Sequence, residues 1–153
     1  PTSALDVSVQ AQVLNLFKQL QARRKLTYLF ITHNLNVVRY MADYVAVMYL
    51  GKIVEYDTVN KIFRNPKHPY TKSLLDAIPD VENRKVFQTI TGDVPSPLNP
   101  PNGCHFHPRC PIFLNEPKDS HLKQKCNQNY PAILHSEDSF VRCHMVKKIN
   151  NGD

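Results

Sequence analysis

The segment that most constrains this chain is Leu26 to Thr32, which reads Leu-Thr-Tyr-Leu-Phe-Ile-Thr. It is short, unbroken, apolar, and rich in β-branched and aromatic residues. That pattern suits a strand covered on both faces, and such strands belong to parallel sheets. A parallel strand needs parallel neighbours, each reached through a long crossover. These 153 residues supply too few of them. The expected fold class is therefore α/β, with the sheet completed by residues outside this sequence or by a partner chain.

The flanking periodicity agrees. Val9, Val13, Leu16, Phe17 and Leu20 recur every three or four residues, which predicts a helix over Val7–Lys25. Ser3 or Asp6 can cap its start, and Arg23, Arg24 and Lys25 suit the negative end of its dipole. After the strand, Asn34 can cap a helix over Leu35–Ala42. Tyr44–Leu50 and Lys52–Tyr56 read as two strands joined tightly at Gly51. Thr58 caps a short helix that Pro66 stops, and Pro69 opens another that runs to Ala77.

Beyond Pro79 the texture changes. Lys85–Thr91 is one possible strand, and Pro95–Gly103 is a turn-rich linker. All four cysteines and five of the seven histidines follow it. Two regions are expected, 1–78 and 79–153, the second irregular and rich in cysteine.

Composition excludes several classes. With 42% hydrophobic residues the chain can bury a core and is too apolar for a disordered polyelectrolyte. Its longest apolar runs, Tyr28–Ile31 and Val45–Leu50, fall far short of the roughly 20 residues a membrane helix needs. No secretory signal is visible at its start. The net charge of +6 comes from scattered lysines and arginines in runs of three at most. They read as a solvated face, so no nucleic-acid partner is expected.

Two positions invite chemistry on placement alone. His33 follows the carboxyl end of the predicted strand, the edge where open α/β sheets bind ligands. It can donate to a phosphate oxygen, or simply be satisfied by backbone in a surface loop. Ser3-Ala4-Leu5-Asp6 by itself is an ordinary helix cap.

Taken together these pieces carry a resemblance. Pro1-Thr-Ser-Ala-Leu-Asp6, one helix, then an apolar strand ending Thr32-His33-Asn34-Leu35 resembles the ATP-binding-cassette ATPases. The resemblance implies that Ser3 and Asp6 belong to the loop at the ATPase dimer interface. It also implies that His33 is the switch histidine touching the ATP γ-phosphate. Asn34 stands where the family usually has Asp, and both residues cap helices well. The magnesium-linked aspartate and catalytic glutamate would precede Pro1.

The continuation narrows the likeness. Met48-Tyr-Leu-Gly-Lys-Ile-Val-Glu55, Asn65-Pro-Lys-His-Pro-Tyr-Thr71, Leu74-Leu-Asp-Ala-Ile-Pro79 and Gly103-Cys104 with Phe106-His-Pro-Arg-Cys-Pro111 resemble the ATPase subunits of oligopeptide and dipeptide importers, with nickel importers as relatives. This implies the C-terminal portion of a P-loop nucleotide-binding domain followed by a cysteine-containing extension. It further implies ATP and Mg2+ as ligands of the whole protein and a second ATPase subunit, identical or paralogous, as partner. Membrane permease subunits, and indirectly an extracytoplasmic peptide-binding protein, complete the expected assembly at the cytoplasmic face of the cell membrane. Glycines stand only at 51, 92, 103 and 152, so these residues hold no G-x-x-x-x-G-K-[ST] phosphate loop. They are not expected to hydrolyse ATP by themselves.

Cys104, Cys110, Cys126 and Cys143 are spaced C-x5-C-x15-C-x16-C. Disulfides would need an oxidising compartment, which the rest of the sequence does not suggest. Zinc prefers a tight pair two to four residues apart, which is lacking, whereas iron–sulfur clusters tolerate wider spacing. The extension that the chain resembles carries a four-iron cluster in some members, and the cluster is the expected cofactor ahead of zinc or no metal. Asn115–Lys125 looks like an insertion relative to that extension, and Pro131 still follows Cys126. His105, His107 and His144 are alternative ligands. Two rival readings stay open: a non-catalytic metal-binding or regulatory module, and a basic nucleic-acid-binding domain with steeply salt-dependent affinity.

Overall fold

The computed structural model describes residues 7–78, 90 and 92–146. Ser3 and Asp6 lie outside the described residues, as does the possible strand Lys85–Thr91 apart from Ile90. Helices and strands are mixed along the chain. It divides by packing into two compact units, 1–43 and 44–153. The change of composition near residue 79 is therefore not where the compact units part.

The first unit holds α1 (Val7–Arg24) and α2 (Leu35–Met41). Asn34 caps α2, its Oδ1 accepting from the N–H groups of Asn36 and Val37 at 3.0 and 3.4 Å. Leu14 of α1 packs with Val37 and Met41 of α2, and Phe17 joins them. Residues 26–32 are extended, but they form no strand, because no described strand lies alongside to pair with them. The expected parallel strand is thus corrected to a bare extended segment. Its side chains still alternate. Tyr28 and Phe30 turn to Phe17 of α1, with ring centroids 5.7–5.9 Å apart. Leu29 and Ile31 point the other way, 91% and 94% exposed. The helix shares this lack of cover. Leu16 and Leu20 stay exposed, and among the α1 residues whose burial is described the buried one is Leu14, outside the expected apolar set.

The second unit starts with a hairpin of β1 (Tyr44–Tyr49) and β2 (Lys52–Thr58). Leu50 and Gly51 both take positive φ, 42° and 74°. That pairing makes the two-residue turn whose twist matches the strands. Thr58 caps α3 (Val59–Arg64), accepting from the Lys61 N–H, and α3 packs on the hairpin. α4 (Pro69–Asp76) follows, with Pro69 in its first turn. After the proline-rich stretch come a 3-10 turn (His107–Arg109), α5 (Pro111–Asn115) and α6 (His121–Gln128). β3 (Leu134–Ser136) and β4 (Ser139–Val141) close the unit. β4 returns to pair with β2, giving the antiparallel order β1-β2-β4-β3 among the described residues. The cysteine-bearing extension is thereby built onto the hairpin, and their apolar side chains form one core.

Candidate functional site

That core is centred on Phe106, which is 1% exposed. Its ring meets Tyr49, Tyr70 and His68 at centroid distances of 5.2, 5.3 and 5.9 Å. The three partners come from β1 and from the His68-Pro69-Tyr70 triplet that opens α4. His68 caps α4, its Nδ1 accepting from the Tyr70 N–H at 3.0 Å, so the ring proton of the neutral form sits on Nε2. Nε2 faces the Arg142 carbonyl without closing a hydrogen bond of normal geometry. Burial lowers the His68 pKa to about 4, and the ring stays neutral.

The loop before His68 is pinned by Glu55 of β2. Its carboxylate is 3% exposed and accepts from the Lys67 and His68 N–H groups at 2.7 and 3.0 Å. Burial raises the Glu55 pKa, and these hydrogen bonds partly offset the rise. The Thr71 hydroxyl lies beside the carboxylate with no bond of normal geometry. Sequence reasoning passed over Glu55. The signal for it was slight, because Glu55 shares its strand with Lys52 and Asp57 and its partners lie twelve and thirteen residues further on.

All four cysteines line one small cavity beside Phe106, together with His107, His144 and Met145. Four separate elements bring them there. Cys104 precedes the 3-10 turn, Cys110 holds the N-cap position of α5, Cys126 lies inside α6, and Cys143 follows β4. None is in a disulfide. Burial pushes the Cys104 thiol up to about 11 and the Cys126 thiol up to about 12, and it raises Cys110 and Cys143 too. Like-charge neighbours add to this: Cys104 and Cys110 both raise Cys126 and Cys143. Backbone amides act the other way. Those of Phe106 and His107 lean toward Cys104, and those of Phe113 and Ile112 toward Cys110. The Met145 N–H donates to Cys143 Sγ at 3.3 Å.

Burial therefore favours neutral thiols, which a bound cation would have to deprotonate. The spacing is another matter. Among the described residues no three or more His, Cys, Asp or Glu side chains are arranged to hold a single metal ion. The cavity is about 10 Å³, room for about one water. Of the alternative ligands, His107 Nδ1 pairs with the Cys104 carbonyl at 2.8 Å and His144 Nε2 with the Asn129 carbonyl at 2.8 Å. His105 packs against Tyr130 instead of lining the cavity.

His33 lies in the first unit, exposed, between the bare extended segment and α2. No helix among the described residues is long and apolar enough to cross a membrane.

Residues 54–116 match the profile of a family described as "Oligopeptide/dipeptide transporter, C-terminal region". They span β2 to the end of α5, including Glu55, the His-Pro-Tyr loop and the first two cysteines. Over 150 residues the chain is also 45% identical to the oligopeptide transport ATP-binding protein AppF of Bacillus subtilis, covering 95% of this chain and 43% of that protein. It is 53% identical to the oligopeptide transport ATP-binding protein OppF of Salmonella typhimurium, at 95% and 42% coverage. To the di/tripeptide transport ATP-binding protein DppF of Pseudomonas aeruginosa it is 46% identical, at 97% and 44%. The chain thus spans less than half the length of these relatives, and the likeness runs through both of its compact units.

Proposed function

We propose that these residues are the C-terminal portion of the ATP-binding subunit of a cassette-type importer for oligopeptides or dipeptides. The observation that carries this is the 45–53% identity to transport ATP-binding proteins over 95% of the chain. The bare face of Leu29 and Ile31 supports it, since a longer protein would supply the neighbouring strands. In this reading the whole protein binds ATP and Mg2+ and pairs with a second ATPase subunit. ATP hydrolysis then drives membrane permeases from their cytoplasmic side, with an extracytoplasmic peptide-binding protein delivering cargo. His33 holds the γ-phosphate, while Ser3 and Asp6 join the two sites across the dimer. Histidine is suited to the task because its ring N–H donates to a phosphate oxygen at the start of a helix whose amides favour anions.

The test is ATPase activity of the full coding sequence assembled with its permease. Activity should be present and should fall roughly a hundredfold in His33→Ala. A protein that neither binds nor hydrolyses ATP would overturn the reading and move the metal-binding or regulatory module to the front.

The reading extends to the cysteines, which would hold a four-iron cluster through Cys104, Cys110, Cys126 and Cys143. That all four line one cavity supports it, and the cavity of about 10 Å³ would have to widen to admit the cluster. When bound, the cluster supplies four metal–thiolate bonds that staple the extension together. Protein purified without oxygen should carry about four irons and matching sulfide. Colourless protein with zinc, or with no metal, would contradict this assignment.

A further inference from the structure

Gly103 occupies the tightest backbone contact found at any glycine of the described chain. Its φ is +66°, a conformation side chains disfavour. A Cβ built there would sit 2.3 Å from the Cys126 carbonyl oxygen, 2.7 Å from the Asn127 carbonyl carbon and 2.8 Å from the Asn127 oxygen. All three are backbone atoms in the last turn of α6, so no side chain can swing aside to make room. The next residue uses this proximity. The Cys104 N–H donates to the Cys126 carbonyl at 2.8 Å. That carbonyl is one of the last four of α6, which have no partner inside their own helix. Two of the four thiol-bearing residues, 22 positions apart in sequence, are thus fastened backbone to backbone.

We propose that Gly103 is the positioning residue of the cysteine centre. By carrying no side chain, it lets the Cys104 backbone lie against the end of α6 and sets Cys104 beside Cys126. The inference rests on the metal-centre reading for its consequence but on geometry alone for the juxtaposition. Two other glycines serve as controls. Gly51 has φ +74° with nothing within 4 Å of a built Cβ, and Gly92 has φ +86° with only the Arg109 Cγ at 3.9 Å. Alanine at either site meets the same left-handed strain without the collision, so the difference between Gly103→Ala and Gly51→Ala isolates the contact.

The experiment compares the full-length protein with its Gly103→Ala and Gly51→Ala variants by two readouts. The first is anaerobic loading with ferrous iron and sulfide, followed by iron content and the sulfide-to-iron charge-transfer absorption. Gly103→Ala should retain less than about a third of the native iron, and Gly51→Ala nearly all of it. The second needs no metal. Diamide, a diazene oxidant, takes two protons and two electrons from a thiol pair, becoming a hydrazine as the disulfide forms. Cys104 and Cys126 are joined by a backbone hydrogen bond and line the same small cavity, the juxtaposition on which a disulfide between them would depend. In metal-free native protein and in Gly51→Ala the Cys104–Cys126 disulfide should dominate the peptide map, and in Gly103→Ala its formation should slow at least fivefold.

Equal loading and equal cross-linking in Gly103→Ala would overturn the inference. So would loss of the near-ultraviolet signal of the Tyr49–Tyr70–Phe106 cluster in that variant, which would make the glycine a general folding requirement. If the native protein takes up no iron while the cross-linking difference holds, the metal reading fails and the positioning role stands.

Discussion

Residues 26–32 and the walls of the cysteine cavity both carry apolar side chains, yet the first leaves them exposed and the second buries them. Leu29 and Ile31 are more than nine-tenths exposed, while Phe106 is 1% exposed. Within the first unit the segment packs Tyr28 and Phe30 against Phe17 of α1 and leaves Leu29 and Ile31 exposed. The cavity draws its walls from the start of α4, the 3-10 turn and the residues before it, α5, α6 and the residues after β4, all within the second unit. An apolar run states that a segment must be covered. Whether the cover lies in the same chain is decided by which other elements that chain contains.

The comparison can be broken most sharply at Phe106. Phe106→Ala removes a fully buried ring from the middle of an aromatic cluster and should cost about 3–5 kcal/mol of unfolding free energy in denaturant titration. A loss below about 1 kcal/mol would mean that the core is not organised around that ring.

Glu55 gives a smaller effect with a definite pH signature. Glu55→Gln keeps one acceptor oxygen for two buried amides, so one N–H is orphaned at a cost of about 1–3 kcal/mol near neutral pH. The native carboxyl has its pKa raised by burial. Its folded form therefore holds a proton more tightly than its unfolded form does. The linked stability is present below the ordinary glutamate value of 4.5 and is lost as pH rises through the raised folded value. Denaturation midpoints of the native chain should carry this contribution, and Glu55→Gln should lack it. An identical pH profile in the two proteins would show that the carboxyl titrates normally.

The smallest effect should be at the open segment. In this chain Leu29→Ser should shift stability by no more than about 0.5 kcal/mol, since the side chain touches little. In the full coding sequence the same change should be costly, by about 2–5 kcal/mol if the leucine is buried between strands. Equal, small effects in both would mean that the face is open in the whole protein too.

Much of this was legible in the sequence, for local reasons. Asn34 and Thr58 cap helices because a short side-chain oxygen reaches an amide two or three residues on, whatever the rest of the fold does. Gly51 makes its turn for an equally local cause. The pairing of β4 with β2 was not legible, because three-residue strands carry no usable period. Nor was the seating of the His-Pro-Tyr loop on Glu55, a contact between residues 12 and 13 positions apart. The cysteine spacing suggested a shared centre without showing how the sulfurs meet. The strand expected at 26–32 is not formed among the described residues, and the face carrying Leu29 and Ile31 is exposed. Ser3 and Asp6 fall outside the described residues, so their interface role rests on resemblance alone.

The most direct test of the account is amide hydrogen exchange across Leu26–Thr32, measured in this chain and in the full coding sequence. In this chain these amides should exchange nearly as fast as unfolded backbone, while those of β1 and β2 are protected. In the longer protein the same amides should become as slow as the hairpin's, because neighbouring strands have closed over them. Fast exchange in both proteins would contradict the claim that this segment is an interior strand of a larger sheet.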